Sequence, residues 1–146
     1  MACPNKYQKS SLRAYNLVEQ DFPSPSSIIF STIGYKSGIS IEFTENTSAI
    51  YLKKPGLYYI TLDVGLTNET ANTETMVQMY KDGAEVAGAV ATATITATGN
   101  EIPTTISAVV PVEGSCPCAG GSVITFRVSG TTAAIVDANV NVIKLA

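Results

Sequence analysis

The stretch Lys54-Pro55-Gly56-Leu57-Tyr58-Tyr59-Ile60-Thr61-Leu62-Asp63-Val64 restricts what this chain can become more than any other. Pro presets φ and Gly accepts positive φ, so Pro55-Gly56 marks a turn. Beyond it Tyr58, Ile60, Leu62 and Val64 share one face, and Thr61 and Asp63 fall on the other. A period of two is the signature of a strand with one face buried. Such a strand needs neighbours for its backbone and a second layer over its apolar face.

The rest of the chain supplies them. Ile28 to Ile33 is a short β-rich run, and Ile39, Ile41 and Phe43 alternate with polar residues. Ala49 to Leu52 and Thr75 to Lys81 read as strands, the latter with Val77 and Met79 on one face. Asp82-Gly83 follows, the dipeptide of a type I′ hairpin, which needs positive φ at both central positions. Residues 84–98 are rich in Ala and Thr, which suits a strand of little bulk. Its small side chains permit close approach of another subunit, or mark a loosely packed outer strand. Ile106, Ala108, Val110 and Val112 carry one strand; Ile124, Phe126 and Val128 carry another. In the last, Val136, Ala138, Val140 and Val142 oppose Asp137, Asn139 and Asn141. At Ile143 and Leu145 the apolar phase flips, as a bulge or burial on both faces would make it do.

These signals predict an all-β chain, an antiparallel jelly-roll sandwich of roughly eight to ten strands over residues 28–146. Residues 1–27 are predicted to form a short irregular N-terminal arm. Pro4, Pro23, Pro25 and a Ser-rich run interrupt it, and Ser10 to Gln20 suits one or two helical turns. The arm either packs along the domain or tethers it to a larger assembly.

Little in the chain points to chemistry. There is no His, which removes the commonest general base and metal ligand. The net charge of −3 gives no basic footprint for nucleic acid. An apolar fraction of 45% against 14% charged is that of a folded core rather than a disordered chain. The first residues lack the apolar core of a signal peptide, and no apolar run reaches the about 18 residues of a spanning helix. The expectation is synthesis in a cytoplasm without membrane insertion. Asp82/Glu85 and Glu42/Glu45 flank turns without a partnered base or nucleophile, and read as solvated charges. Glu69 and Glu74 lack the Asp-rich pattern of a calcium loop. The sequons at Asn46 and Asn68 read as coincidental. No catalytic residue and no cofactor are expected.

Cys116-Pro117-Cys118 is the most unusual local feature. Two thiols at this spacing are too close for easy disulfide geometry, and a structural zinc site needs four ligands. Within one chain only Cys3 adds a sulfur. Three copies around an axis are able to hold a metal or cross-link; the plainer alternative is small, polarisable residues in a tight loop.

Three motifs together resemble the complement/tumour-necrosis-factor jelly-roll superfamily in its bacterial and phage form. They are Lys54-Pro55-Gly56-Leu57-Tyr58-Tyr59-Ile60; Met79-Tyr80-Lys81-Asp82-Gly83-Ala84-Glu85-Val86-Ala87-Gly88; and the close from Phe126-Arg127-Val128-Ser129-Gly130 through Ala138 to Leu145. The resemblance implies a tight homotrimer and a virion protein: a head fibre, a capsid decoration subunit or a fibre tip. It implies contact with capsid or other virion proteins through residues 1–27. The alternative is a tail-fibre module binding a host-surface glycan on the same fold, although the loops 67–74, 99–104 and 113–121 contain no aromatic residue. Tyr58, Tyr59, Tyr80 and Phe126 are the bulky interface candidates, since aromatics are enriched where subunits meet. Alternation sends Tyr58 and Tyr59 to opposite faces, so one of them points away from the core.

Overall fold

The computed structural model describes residues 9–22, 26–114 and 121–146. In chain order the strands are β1 (Ser11–Asn16), β2 (Gln20–Phe22), β3 (Ser26–Ser27), β4 (Thr32–Ser37), β5 (Ile41–Phe43) and β6 (Ile50–Leu52). They continue with β7 (Gly56–Asn68), β8 (Thr73–Lys81), β9 (Ala84–Ile95), β10 (Ile102–Val112), β11 (Ser122–Ser129) and β12 (Ala133–Lys144). One sheet has the order β10-β7-β12-β1-β4, with β2 on β12; the other has β5-β6-β11-β8-β9, with β3 on β11. The pairings are antiparallel, and from β4 onward the chain shuttles between the sheets. This is the expected jelly-roll sandwich. Among the described residues no helix is long and apolar enough to cross a membrane.

The core lies between the sheets and follows the period-two pattern. Tyr58, Ile60, Leu62 and Val64 of β7 point into it, as do Val140 and Val142 of β12. The facing sheet contributes Val77, Met79, Ile124, Phe126 and Val128. Phe30 meets Phe126 edge to face at 6.2 Å and Phe43 at 6.3 Å. Such pairs contribute about 0.5–1.5 kcal/mol beyond the area they bury. The hairpin forms where its dipeptide predicts, with φ of 52° at Asp82 and 82° at Gly83. Asp82 ties that turn to β11: its N–H donates to the Val123 carbonyl and its carboxylate accepts the Val123 N–H, each at 2.8 Å.

The N-terminal region departs from expectation. Residues 11–16 are neither helical nor an arm. They form β1, hydrogen-bonded between β12 and β4, with Leu12 and Ala14 buried. Two strands remote in sequence satisfy its backbone, which outweighs any local helical tendency. With β2 and β3 it belongs to the sandwich, which therefore takes in residues before 28, and among the described residues the strands number twelve. The part of the supposed tether left over, residues 1–8, lies outside the described residues, as do Cys3, Cys116 and Cys118.

β12 also behaves unexpectedly. Its register shift falls between Ile135 and Ala138, well before Ile143. From there alternation runs unbroken, so Lys144 points inward and Ile143 and Leu145 point out. Lys144 Nζ donates to the Ala146 carbonyl at 2.9 Å. The same carbonyl accepts the Leu57 N–H, and Gly56 (φ 149°) makes room for it, because a methyl group there would overlap that oxygen.

Tyr58, paired across from Lys144, donates its hydroxyl to the Lys54 carbonyl at 2.6 Å. Burial raises its pKa above 10.0, partly offset by that hydrogen bond. A folded-state pKa above the unfolded one stabilises fully below the unfolded value and is lost as pH rises through the folded value. Urea midpoints are therefore expected to fall above pH 10. In Tyr58→Phe that fall is shallower, at a cost of about 1 kcal/mol at neutral pH for the lost hydrogen bond. Lys144, lowered by burial, works in the opposite sense, its penalty fading as pH rises toward 10.5.

Candidate self-association face

The outer face of the β10-β7-β12-β1-β4 sheet is built in registered rows. Val109, Tyr59 and Ile143 stand side by side on β10, β7 and β12. Leu57 and Leu145 lie beside them at the end where β7 starts and β12 finishes. Isolated in one subunit, Tyr59 is 39% exposed, Leu57 41%, Ile143 46%, Val109 53% and Leu145 57%. Scattered exposed apolar residues need no explanation, but a contiguous set across three strands marks a contact surface. Two residues further along the strands the rows turn polar: Ser107, Thr61, Asn141, Arg13 and Tyr35, then Thr105, Asp63, Asn139 and Tyr15.

At the polar end the face opens into a groove of about 570 Å³. Arg13 donates to Asn139 Oδ1 at 3.0 Å and lies 5.1 Å from the centre of the Tyr15 ring. Thr105 donates to Asp63 Oδ1 at 2.6 Å. Gly65 forms part of the lining, and a methyl group there would overlap Glu101 and approach Asp137 Oδ1 to 3.1 Å. Among the described residues no group of His, Cys, Asp or Glu has the geometry to hold a metal ion.

The sequence-derived interface candidates separate. Tyr58 and Phe126 are fully buried within one subunit, so neither presents surface to a partner; their apolar bulk fills the sandwich. Tyr59 is on the exposed face. Tyr80 is half-buried on the outer side of the other sheet, with the Arg127 guanidinium 4.3 Å from its ring centre. Sequence reasoning missed Leu57, Val109, Ile143 and Leu145 as a set. The phase flip at Ile143 was their one visible signal, and its cause is an apolar outer face rather than a bulge. Glu42 pairs with Lys53 at 2.7 Å, which lowers its pKa, and Glu45 accepts the Ile33 N–H. Asn68 is buried, donating to Thr75 and to the Thr131 carbonyl, so its sequon presents no acceptor side chain.

No protein-family model matches the chain, and no curated protein matches it in sequence. Solved structures do resemble it. Murine APRIL at pH 8.5 superposes with a TM-score of 0.66 at 12% identity, over 94% of this chain and 100% of that one. PRD1 vertex protein P5 gives 0.62 at 16% identity, over 94% and 97%. The globular domain of zebrafish complement 1qA gives 0.56 at 10% identity, over 95% and 98%. The sandwich thus shares the jelly-roll fold of the tumour-necrosis-factor and C1q type with these structures.

Proposed function

We propose that this chain is a non-enzymatic structural subunit of a phage or prophage virion. It closes with two further copies into a trimer that decorates the capsid or forms a fibre tip. The observation that carries the trimer is the apolar row Leu57, Tyr59, Val109, Ile143 and Leu145 on an otherwise polar sheet. Around a threefold axis such a face is covered with closed symmetry, and the polar rows beside it form a hydrated rim. The virion role is supported by likeness to a vertex protein across nearly the whole chain.

Light scattering coupled to size exclusion tests the assembly. A mass near three times 15.3 kDa is expected. A monomer at micromolar concentration would overturn the trimer and leave the virion role resting on the likeness in fold alone.

A further inference from the structure

On the second sheet, away from the self-association face, lies a groove of about 550 Å³ at the end where β6 finishes and β11 begins. Its lining pairs two chemistries. Ile39, 58% exposed, and Tyr51, 46% exposed, provide apolar surface together with Val123, while Lys53 and Lys54 supply ammonium groups. Tyr51 and Val123 are registered neighbours on β6 and β11. Lys54 is anchored through its carbonyl, which accepts the Tyr58 hydroxyl. Glu42 lies beside the groove on β5, opposite Tyr51, and already holds Lys53.

Charge along the molecule is segregated in the same sense. Lys9, Lys36, Lys53, Lys54, Lys81 and Lys144 all lie toward the groove's end of the sandwich, with Glu42, Asp82, Glu85 and Glu113 among them. At the opposite end the loops and strand ends 17–21, 69–74, 96–101 and 130–137 contain Glu19, Asp21, Glu69, Glu74, Glu101 and Asp137 and no Lys or Arg. An apolar ligand alone would leave the Lys54 ammonium without a counter-charge, since Glu42 meets only Lys53. A purely anionic one would leave Ile39 and Tyr51 wet.

We infer that this groove docks an acidic segment of another protein that also carries apolar side chains. Its carboxylates meet Lys53 and Lys54, and its apolar groups cover Ile39, Tyr51 and Val123. Clefts of this size take a short segment rather than a whole domain face. Charge complementarity supplies steering and register, and the apolar floor supplies the water exclusion that strengthens the ion pairs. The inference does not depend on the trimer, because it uses the other sheet, and a monomeric mass leaves it standing.

The test is fluorescence anisotropy of a labelled peptide of alternating Asp and Leu against the full chain, with an Asn-for-Asp twin as control. The acidic peptide is expected to bind, and to weaken about tenfold between 0.05 and 0.5 M salt as the charges are screened. Lys54→Glu is expected to weaken it by about tenfold or more, the effect of inverting one paired charge. Glu42→Gln is expected to tighten it severalfold, because Lys53 is released from its 2.7 Å pair. A purely structural role for Glu42 would give no gain. The inference is overturned if the acidic peptide fails to bind, if the Asn twin binds equally well, or if neither substitution moves the affinity. It is also overturned if phosphatidylglycerol vesicles bind and the peptide does not, which would assign the lysines to a lipid surface.

Discussion

A chain beginning at residue 28 is expected not to fold. It lacks β1, β2 and β3, and with them Leu12, Ala14 and Phe22, all buried. Burying Leu12 and Phe22 stabilises by about 1.5–3 kcal/mol each. The backbone loss is larger in consequence. Without β1 the inner edge of β12 is unpaired, and β4 loses the one strand it pairs with among the described residues. Gln20 also leaves, and with it the two hydrogen bonds that hold Ile29, at 2.8 and 3.0 Å. Against a total stability of about 5–15 kcal/mol for a domain, these losses are decisive. A chain beginning at residue 9 retains every described contact and is expected to unfold cooperatively in urea. The comparison is read by circular dichroism and denaturant midpoint. A cooperative transition in the shorter chain, at a midpoint close to that of the longer, would show that β1 is dispensable.

Replacing Ile143 by Glu is expected to reduce the proposed trimer to a species near 15.3 kDa. Ile143 stands between Tyr59 and Ser11 on the sheet's outer face. In one subunit it is nearly half exposed, so the single chain tolerates the change within about 0.5–1 kcal/mol. In the assembly each copy carries a carboxylate into an apolar contact with no cation in its row, at a cost of several kcal/mol per copy. Light scattering reads the mass, and the urea midpoint of the dissociated chain shows that folding survives. Tyr51→Glu, on the opposite sheet, is the control and leaves the mass unchanged. If Ile143→Glu keeps the parental mass while remaining folded, the contact lies elsewhere.

What could be read in advance follows from where the information resides. The strand after Pro55-Gly56 was legible because Tyr58, Ile60, Leu62 and Val64 alternate within one local stretch. The Asp82-Gly83 hairpin was legible because its two φ values are a local demand. β1 was not. Leu12, Tyr15 and Val18 suit a helical stripe as well as Leu12 and Ala14 suit a strand, and proline and serine surround them. What decides between the two is pairing with residues 32–37 and 138–143, which no local pattern announces. The self-association face was half legible. Alternation separated Tyr58 from Tyr59 without saying which turned outward, and only the inward Lys144 shows that Ile143 and Leu145 belong outside.

The position of β1 also bears on how the molecule is made. Arg13 and Asn139 hydrogen-bond across 126 residues of chain, and β12 lies between β7 and β1 in its sheet. During synthesis the first strand therefore waits, unpaired on that side, until nearly the whole polypeptide has emerged. Loop closure on this scale slows folding. Once β12 has emerged, the edge it offers accepts the first strand of a neighbouring nascent copy as well as its own. Crowded chains are thus prone to exchange β1, yielding interlocked oligomers whose subunits separate only by unfolding.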